Sequence, residues 1–437
     1  MITVGLDFGT HQTKICYEKV EAGVAFYDVF RFDGEGGTSL TSPSLVRLCV
    51  DGKLRYGHDA LADDKDGRVT AYFKQKMFSW KLSDLDRADA EWWSILYLTY
   101  IVFKLDAYFG TSRYIVHMGM PTDADPLHYG FCKRQAIKVM ASAMLLARKV
   151  FKGRLCEYLQ SSYAQLSNLA SECLQRIPSN LSEAQRLFPI LVFPEAYVAL
   201  IPLINNHRLP DVGPSLFVDI GGGTVDVSFF TNQMDLATAS NRPCLYYYSS
   251  VPYGLNMITE QDLERSHNVD VQKVQITPQR AARFRDALVR TVDGMMTILK
   301  QKYKESGKTC FMPFPNLCAQ MLDGRPICYS GGGSMFKELR SAIASKDNGV
   351  AYNFSYVTTV SLLIDHAKLY VDDKIFPVLT TAFALSHGSI RRKANGGMAP
   401  DAIQLVSIEK LFEGIRMPQI GVAGQSARWE RKKNWNW

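Results

Sequence analysis

The chain has 437 residues, 47% of them hydrophobic and 21% charged, with a formal net charge of +7. That length buries a large core and predicts two to three domains. Nine Lys/Arg against four Asp/Glu lie after residue 390, so the body is near neutral, which argues against a nucleic-acid groove. The nine cysteines are scattered with no C-x-x-C pair, the pattern of a reduced, cytoplasmic protein. No leader is expected, because Met1 runs straight into a strand holding Asp7. The most apolar helix candidate, 92–103, is broken by Lys104 and Asp106, short of the ~20 residues of a membrane span.

In chain order, the first ~60 residues read as a strand meander, with 15–17 and 24–30 forming a hairpin around Glu21-Ala22-Gly23. Residues 90–108 have helical apolar spacing, and 114–118 read as a strand closed by Gly119 and Pro121. Two long amphipathic helices are expected over 131–151 and 155–177. A strand at 190–193 runs into Pro194-Glu195, and 196–204 reads as helix. Asn, His, Pro and Gly cluster over 205–214, which places a lobe boundary there. Beyond it come a strand–turn–strand from 216, a helix over 278–302, a strand at 327–330, a helix over 335–344 and an apolar helix over 377–386. The division is lobe I, 1–206, with a helical insertion at about 153–189; lobe II, 207–390; and a tail, 391–437. The tail mixes Arg428, Arg431, Lys432 and Lys433 with Trp429, Trp435 and Trp437. It reads as a partly disordered end or a contact for an anionic surface or partner.

Three glycine turns carry the chemistry. In Val4-Gly5-Leu6-Asp7-Phe8-Gly9-Thr10 an apolar strand ends in Asp7, Gly9 allows the bend, and Thr10 adds a hydroxyl. By itself this is also compatible with a strand–turn whose aspartate caps the turn. About 210 positions on, Asp219-Ile220-Gly221-Gly222-Gly223-Thr224-Val225-Asp226 repeats the pattern. Three glycines in succession weaken a fold through chain entropy unless a ligand must approach the backbone; a flexible hairpin is the plainer reading. Thr224 and Asp226 fall on one face of the following strand. The third turn, Gly331-Gly332-Gly333-Ser334, follows a buried strand and is expected to open a helix with free N–H groups. Two such turns face to face would cradle a polyphosphate between main-chain N–H groups, leaving the aspartates for a cation. Gly307-Lys308-Thr309 imitates the end of a P-loop, but Lys302 stands where its first glycine is required.

At these turns the chain resembles the actin-like ATPase superfamily, most closely the DnaK-type heat-shock chaperones. The likeness covers residues 1 to about 390 in order. Asp7–Thr10 matches the family's first phosphate loop, Asp219 to Ser228 its second, and Tyr329–Ser334 its adenosine loop. Pro194-Glu195-Ala196-Tyr197-Val198-Ala199-Leu200 is similar to a Glu-Pro-x-Ala-Ala segment, with proline on the other side of the glutamate. The family's catalytic lysine matches Lys74 in one register and Lys76 in another. His11 replaces a threonine, and Arg283 and Arg290 are the candidates for adenine contacts. About 45 residues follow the last helix, too few for a peptide-binding sandwich and lid.

The resemblance implies an α/β fold of two similar ribonuclease H-like lobes around a nucleotide cleft. ATP or ADP would lie on Gly9, Thr10, His11, Gly221, Gly222, Gly223, Thr224, Asp226, Gly331, Gly332, Gly333 and Ser334. Mg2+ would sit between Asp7 and Asp219, through waters. Lys74 or Lys76 would offset charge on the γ-phosphoryl, and Glu195 or Asp219 would orient the attacking water. The implied function is a slow ATPase acting as a conformational switch through an unidentified protein partner. The alternatives are a filament-forming actin-like ATPase, a sugar-kinase-like phosphotransferase, and a protein that binds ATP without turnover.

Overall fold

The computed structural model describes residues 1–34, 37–61, 67–79, 81–122, 125–204, 213–235, 240–251, 253–255, 276–310, 312–340, 343, 354, 356–365, 369, 371–388 and 406–413. Two sheets organise it. The first is built from β1 (Ile2–Phe8), β2 (Gln12–Glu21), β3 (Val24–Val29), β4 (Tyr114–Met120) and β5 (Ile190–Pro194), in the order β5-β4-β1-β2-β3, with a short sixth strand, Thr41–Pro43, paired to the start of β2. The second is built from β6 (Ser215–Ile220), β7 (Val225–Asp235), β8 (Ser240–Val251), β9 (Pro326–Ser330) and β10 (Tyr356–Thr359), in the order β8-β7-β6-β9-β10.

The two orders are the same. In each lobe the first strand is central, the next two run antiparallel on one side, and two later strands run parallel on the other. The parallel strands require crossovers, and helices supply them. This is the α/β architecture of two similar lobes expected from the sequence, and the single recurrence seen there marks a repeat of a whole sheet.

Local chemistry explains the elements that frame the cleft. The helix Asp84–Phe109 starts at Ser83, whose hydroxyl accepts the Asp86 N–H at 3.2 Å, and stops at Gly110 with φ 62°. Ile95 to Phe103 are buried without interruption, because neighbours cover this stretch of the helix all round. The helix Phe376–Ser386 lies directly on β1. A methyl group on Gly5 would fall 2.3 Å from Ala382 O and from Ser386 N, so this crossing requires glycine. His117 Nδ1 on β4 lies 2.8 Å from Leu385 O, and Glu18 Oε2 accepts the Gly388 N–H at 2.8 Å. The chain thus returns to the first lobe for this helix, although the sequence assigned 377–386 to the second.

Other differences are local. The helix expected over 155–177 breaks at Ser161–Ser162 into Leu155–Gln160 and Tyr163–Arg176, since Ser162 caps the second piece through the Gln165 N–H. With Leu181–Leu187 these helices fill 153–189. The helix expected over 335–344 is a 3-10 turn, Gly332–Met335, then a short helix, Lys337–Arg340, interrupted by extended Phe336; residues 341–342 and 344 lie outside the described set. The boundary region 205–212 lies outside it too. Of the tail, 406–413 are described and docked on the second lobe: the Val406 N–H donates to Leu245 O at 2.7 Å, and Ile408, Leu411 and Phe412 are buried. Arg428, Trp429, Arg431, Lys432, Lys433, Trp435 and Trp437 lie outside the described residues.

Candidate functional site

The equivalent ends of β1 and β6 meet across a cleft between the lobes. At the first turn the Gly9 N–H donates to Asp7 O at 3.0 Å, and the Ser44 hydroxyl donates to Gly9 O at 2.7 Å. At the second the Gly221 N–H donates to Thr224 O at 2.9 Å. Residues 254–255 back this loop: the Leu255 N–H donates to Gly221 O at 2.9 Å, and a methyl on Gly254 would sit 2.4 Å from Gly222 O. The third turn closes one end. Gly331 has φ 77°, and a methyl there would meet Asp219 Oδ1 at 2.2 Å and Ile220 O at 2.4 Å. The Ser334 hydroxyl holds this turn by donating to Gly331 O at 2.7 Å.

The cleft collects most of the residues singled out by the sequence. Asp7, Gly9, Thr10, His11, Lys74, Glu195, Asp219, Gly221, Gly222, Gly223, Thr224, Asp226, Gly331 and Gly332 line it. Gly333 and Ser334 lie behind the lining, buried in the turn. Lys76 is exposed and outside the lining, two positions along the helix Phe73–Phe78 from buried Lys74. Exposed Arg283 and Arg290 do not line the cleft either.

Residues that the sequence reading passed over complete the site. Gln12, Lys14, Ala196, Leu255, Pro377, Val378 and Thr381 also line the cleft. Lys14 had a signal. In each lobe the turn aspartate pairs across the hairpin with the residue seven positions on, Lys14 opposite Asp7 and Asp226 opposite Asp219. The two lobes thus place a cation and an anion at equivalent positions. Gly119 leaves room for Glu195, since a methyl there would fall 2.8 Å from its Oε1. Tyr248, on β8, donates its phenol hydrogen to Asp226 Oδ1 at 2.8 Å.

Charge in the cleft is unbalanced. Lys14 Nζ pairs with Asp7 Oδ2 at 3.0 Å, and Lys74 Nζ with Glu195 Oε1 at 2.6 Å. Asp219 and Asp226 add two more carboxylates with no cation of their own in these pairs. Burial pushes the Asp219 carboxyl up from 3.8 to about 7, and repulsion from Asp226 adds to it while Lys14 opposes it. Burial also raises Asp226, against its hydrogen bonds from Ser250 and Tyr248, and raises Glu195, against the attraction of Lys74. Burial works to lower the Lys14 ammonium, yet Asp7, with Asp219 and Glu195 farther off, raises it.

Such an acidic surplus fits a bound cation. Among the described residues no three His, Cys, Asp or Glu side chains converge closely enough to ligate an ion directly. A magnesium ion would suit Asp7 and Asp219 through its own waters, since it gives up hydration reluctantly. The main-chain turns complement an anion, because glycine leaves their N–H groups approachable. Among the described residues no helix is long and apolar enough to cross a membrane.

No protein-family model and no curated protein matches the chain. Among solved structures it is similar to MreB 5 of Spiroplasma citri bound to AMPPNP, with a TM-score of 0.42, 14% identity, and coverage of 91% of this chain and 98% of that chain. It is also similar to MreB5 of Spiroplasma citri bound to ADP, with a TM-score of 0.41, 14% identity and the same coverage of 91% and 98%.

Proposed function

We propose that the chain is an ATPase of the actin-like type that binds Mg-ATP between its lobes and hydrolyses it slowly. The observation that carries this reading is the duplication: two sheets of identical order bring two Asp–Gly turns to opposite walls of one cleft. The N–H groups of Gly9–Thr10 and Gly221–Thr224 cradle the phosphates, and the turn at Gly331–Gly332 borders the nucleoside. Magnesium, held through water by Asp7 and Asp219, would neutralise charge on the β- and γ-phosphates. Lys74 would face the γ-phosphoryl, and Glu195, bonded to it, would orient a water for in-line attack. Lys14 adds a second ammonium on the first-loop side. Isothermal calorimetry with Mg-ATP and Mg-ADP tests the reading. Saturable uptake is expected, and none at millimolar nucleotide overturns it.

The use of the ATPase divides into two readings. The likeness to DnaK-type chaperones rests on loop residues alone, and a DnaK-like switch would act through a partner protein. A filament-forming ATPase would act instead by assembling with further copies of itself. Nucleotide-dependent sedimentation separates the two: pelleting with ATP supports filaments, and a soluble monomer in every nucleotide state excludes them. ATP consumption that starts only when a sugar is added would replace both with a phosphotransferase.

A further inference from the structure

Asp226 lines the cleft, but its carboxylate is also held from the strand beside it. β7 and β8 pair antiparallel with Asp226 opposite Ser250 and Ser228 opposite Tyr248. Tyr248 and Ser250 are two apart on β8 and therefore share one face. The diagonal from Asp226 to Tyr248 is within reach of a long aromatic side chain. The Tyr248 phenol donates to Asp226 Oδ1 at 2.8 Å, and the Ser250 hydroxyl bonds the same carboxylate. A carboxylate with two hydroxyl donors on one flank has few rotamers left, and charge-assisted bonds of this type are stronger than neutral ones.

The structure assigns a role to this pair. We propose that Tyr248 is a positioning residue which, with Ser250, clamps Asp226 so that its carboxylate presents a fixed acceptor to the water shell of the magnesium–phosphate assembly in the cleft. The inference rests on the ATPase reading. Tyr248 is not among the residues lining the cleft; it acts through Asp226. Loss of its hydroxyl and loss of its ring are separate perturbations.

Tyr248→Phe keeps the ring and removes the donor. Two properties are measured: steady-state phosphate release, and the Mg2+ concentration at half-maximal ADP binding by calorimetry, which needs no turnover. The clamp predicts that Tyr248→Phe lowers kcat about tenfold, from the loss of one hydrogen bond to a charged group, and leaves KM for ATP within about twofold. The Mg2+ midpoint moves up several-fold. Ser250→Ala, at an exposed position, shifts both in the same direction, and the double variant is worse than either by less than their product. Should Tyr248→Phe fail to fold, Ser250→Ala alone decides between the outcomes. Folded variants with wild-type kcat and wild-type Mg2+ midpoint overturn the clamp while the ATPase reading stands. A wild-type protein that takes up no Mg-nucleotide overturns both.

Discussion

Replacing Asp219 with Asn removes a charge that the fold tolerates at a cost. The carboxyl titrates near 3.8 when free and near 7 in the folded protein, because it is buried and faces Asp226. Below about pH 4 it is protonated in both states and contributes nothing. Between about pH 4 and pH 7 the unfolded chain releases the proton more readily than the folded one, so stability falls as pH rises. Above about pH 7 the penalty is complete. About three units at 1.36 kcal/mol each give a ceiling of about 4 kcal/mol. In urea unfolding at about pH 8, nucleotide-free Asp219→Asn is therefore expected to exceed wild type by up to that amount, and at about pH 4 to match it. Mg-ADP reverses the ranking, since it stabilises only the chain that binds it. A variant no more stable than wild type at the higher pH, or more stable by the same margin at both, refutes the electrostatic account.

Lys74→Ala leaves half-buried Glu195 without its cation and is expected to cut phosphate release on the order of a hundredfold, about 3 kcal/mol, whereas Lys76→Ala keeps wild-type turnover; steady-state assays of both separate the two lysines. Gly331→Ala forces a side chain into a left-handed conformation against Asp219 and Ile220, so calorimetry should find nucleotide binding lost. Gly5→Ala pushes a methyl into the backbone of the helix Phe376–Ser386, and thermal melting should report a loss of about 3 kcal/mol, at the upper end for overpacking.

Much of the cleft was legible because its demands are local. A backbone that must approach an anion asks for glycine, and an aspartate at a strand end is visible in a few residues. What escaped was set by distant partners. Nothing near 377–386 indicates that this apolar helix lies on β1 rather than in its own lobe; the reason is Gly5, more than 370 residues earlier. Lys74 and Lys76 are equivalent as letters and differ only by their side of a helix. Tyr248 lies on a strand that the sequence reading did not assign, and its role depends on a cross-strand diagonal. The break at Ser161–Ser162 was visible in principle, since a serine directly before a helical run caps it by accepting the N–H two or three residues on. Apolar spacing on both sides of it concealed the stop.

The helix Phe376–Ser386 has one more consequence. Among the described residues the chain passes from one lobe to the other three times, between residues 204 and 213, between 359 and 376, and between 388 and 406. Each crossing after the first closes a loop of chain across the cleft, so the lobes are laced together where a single tether would leave them free to drift apart.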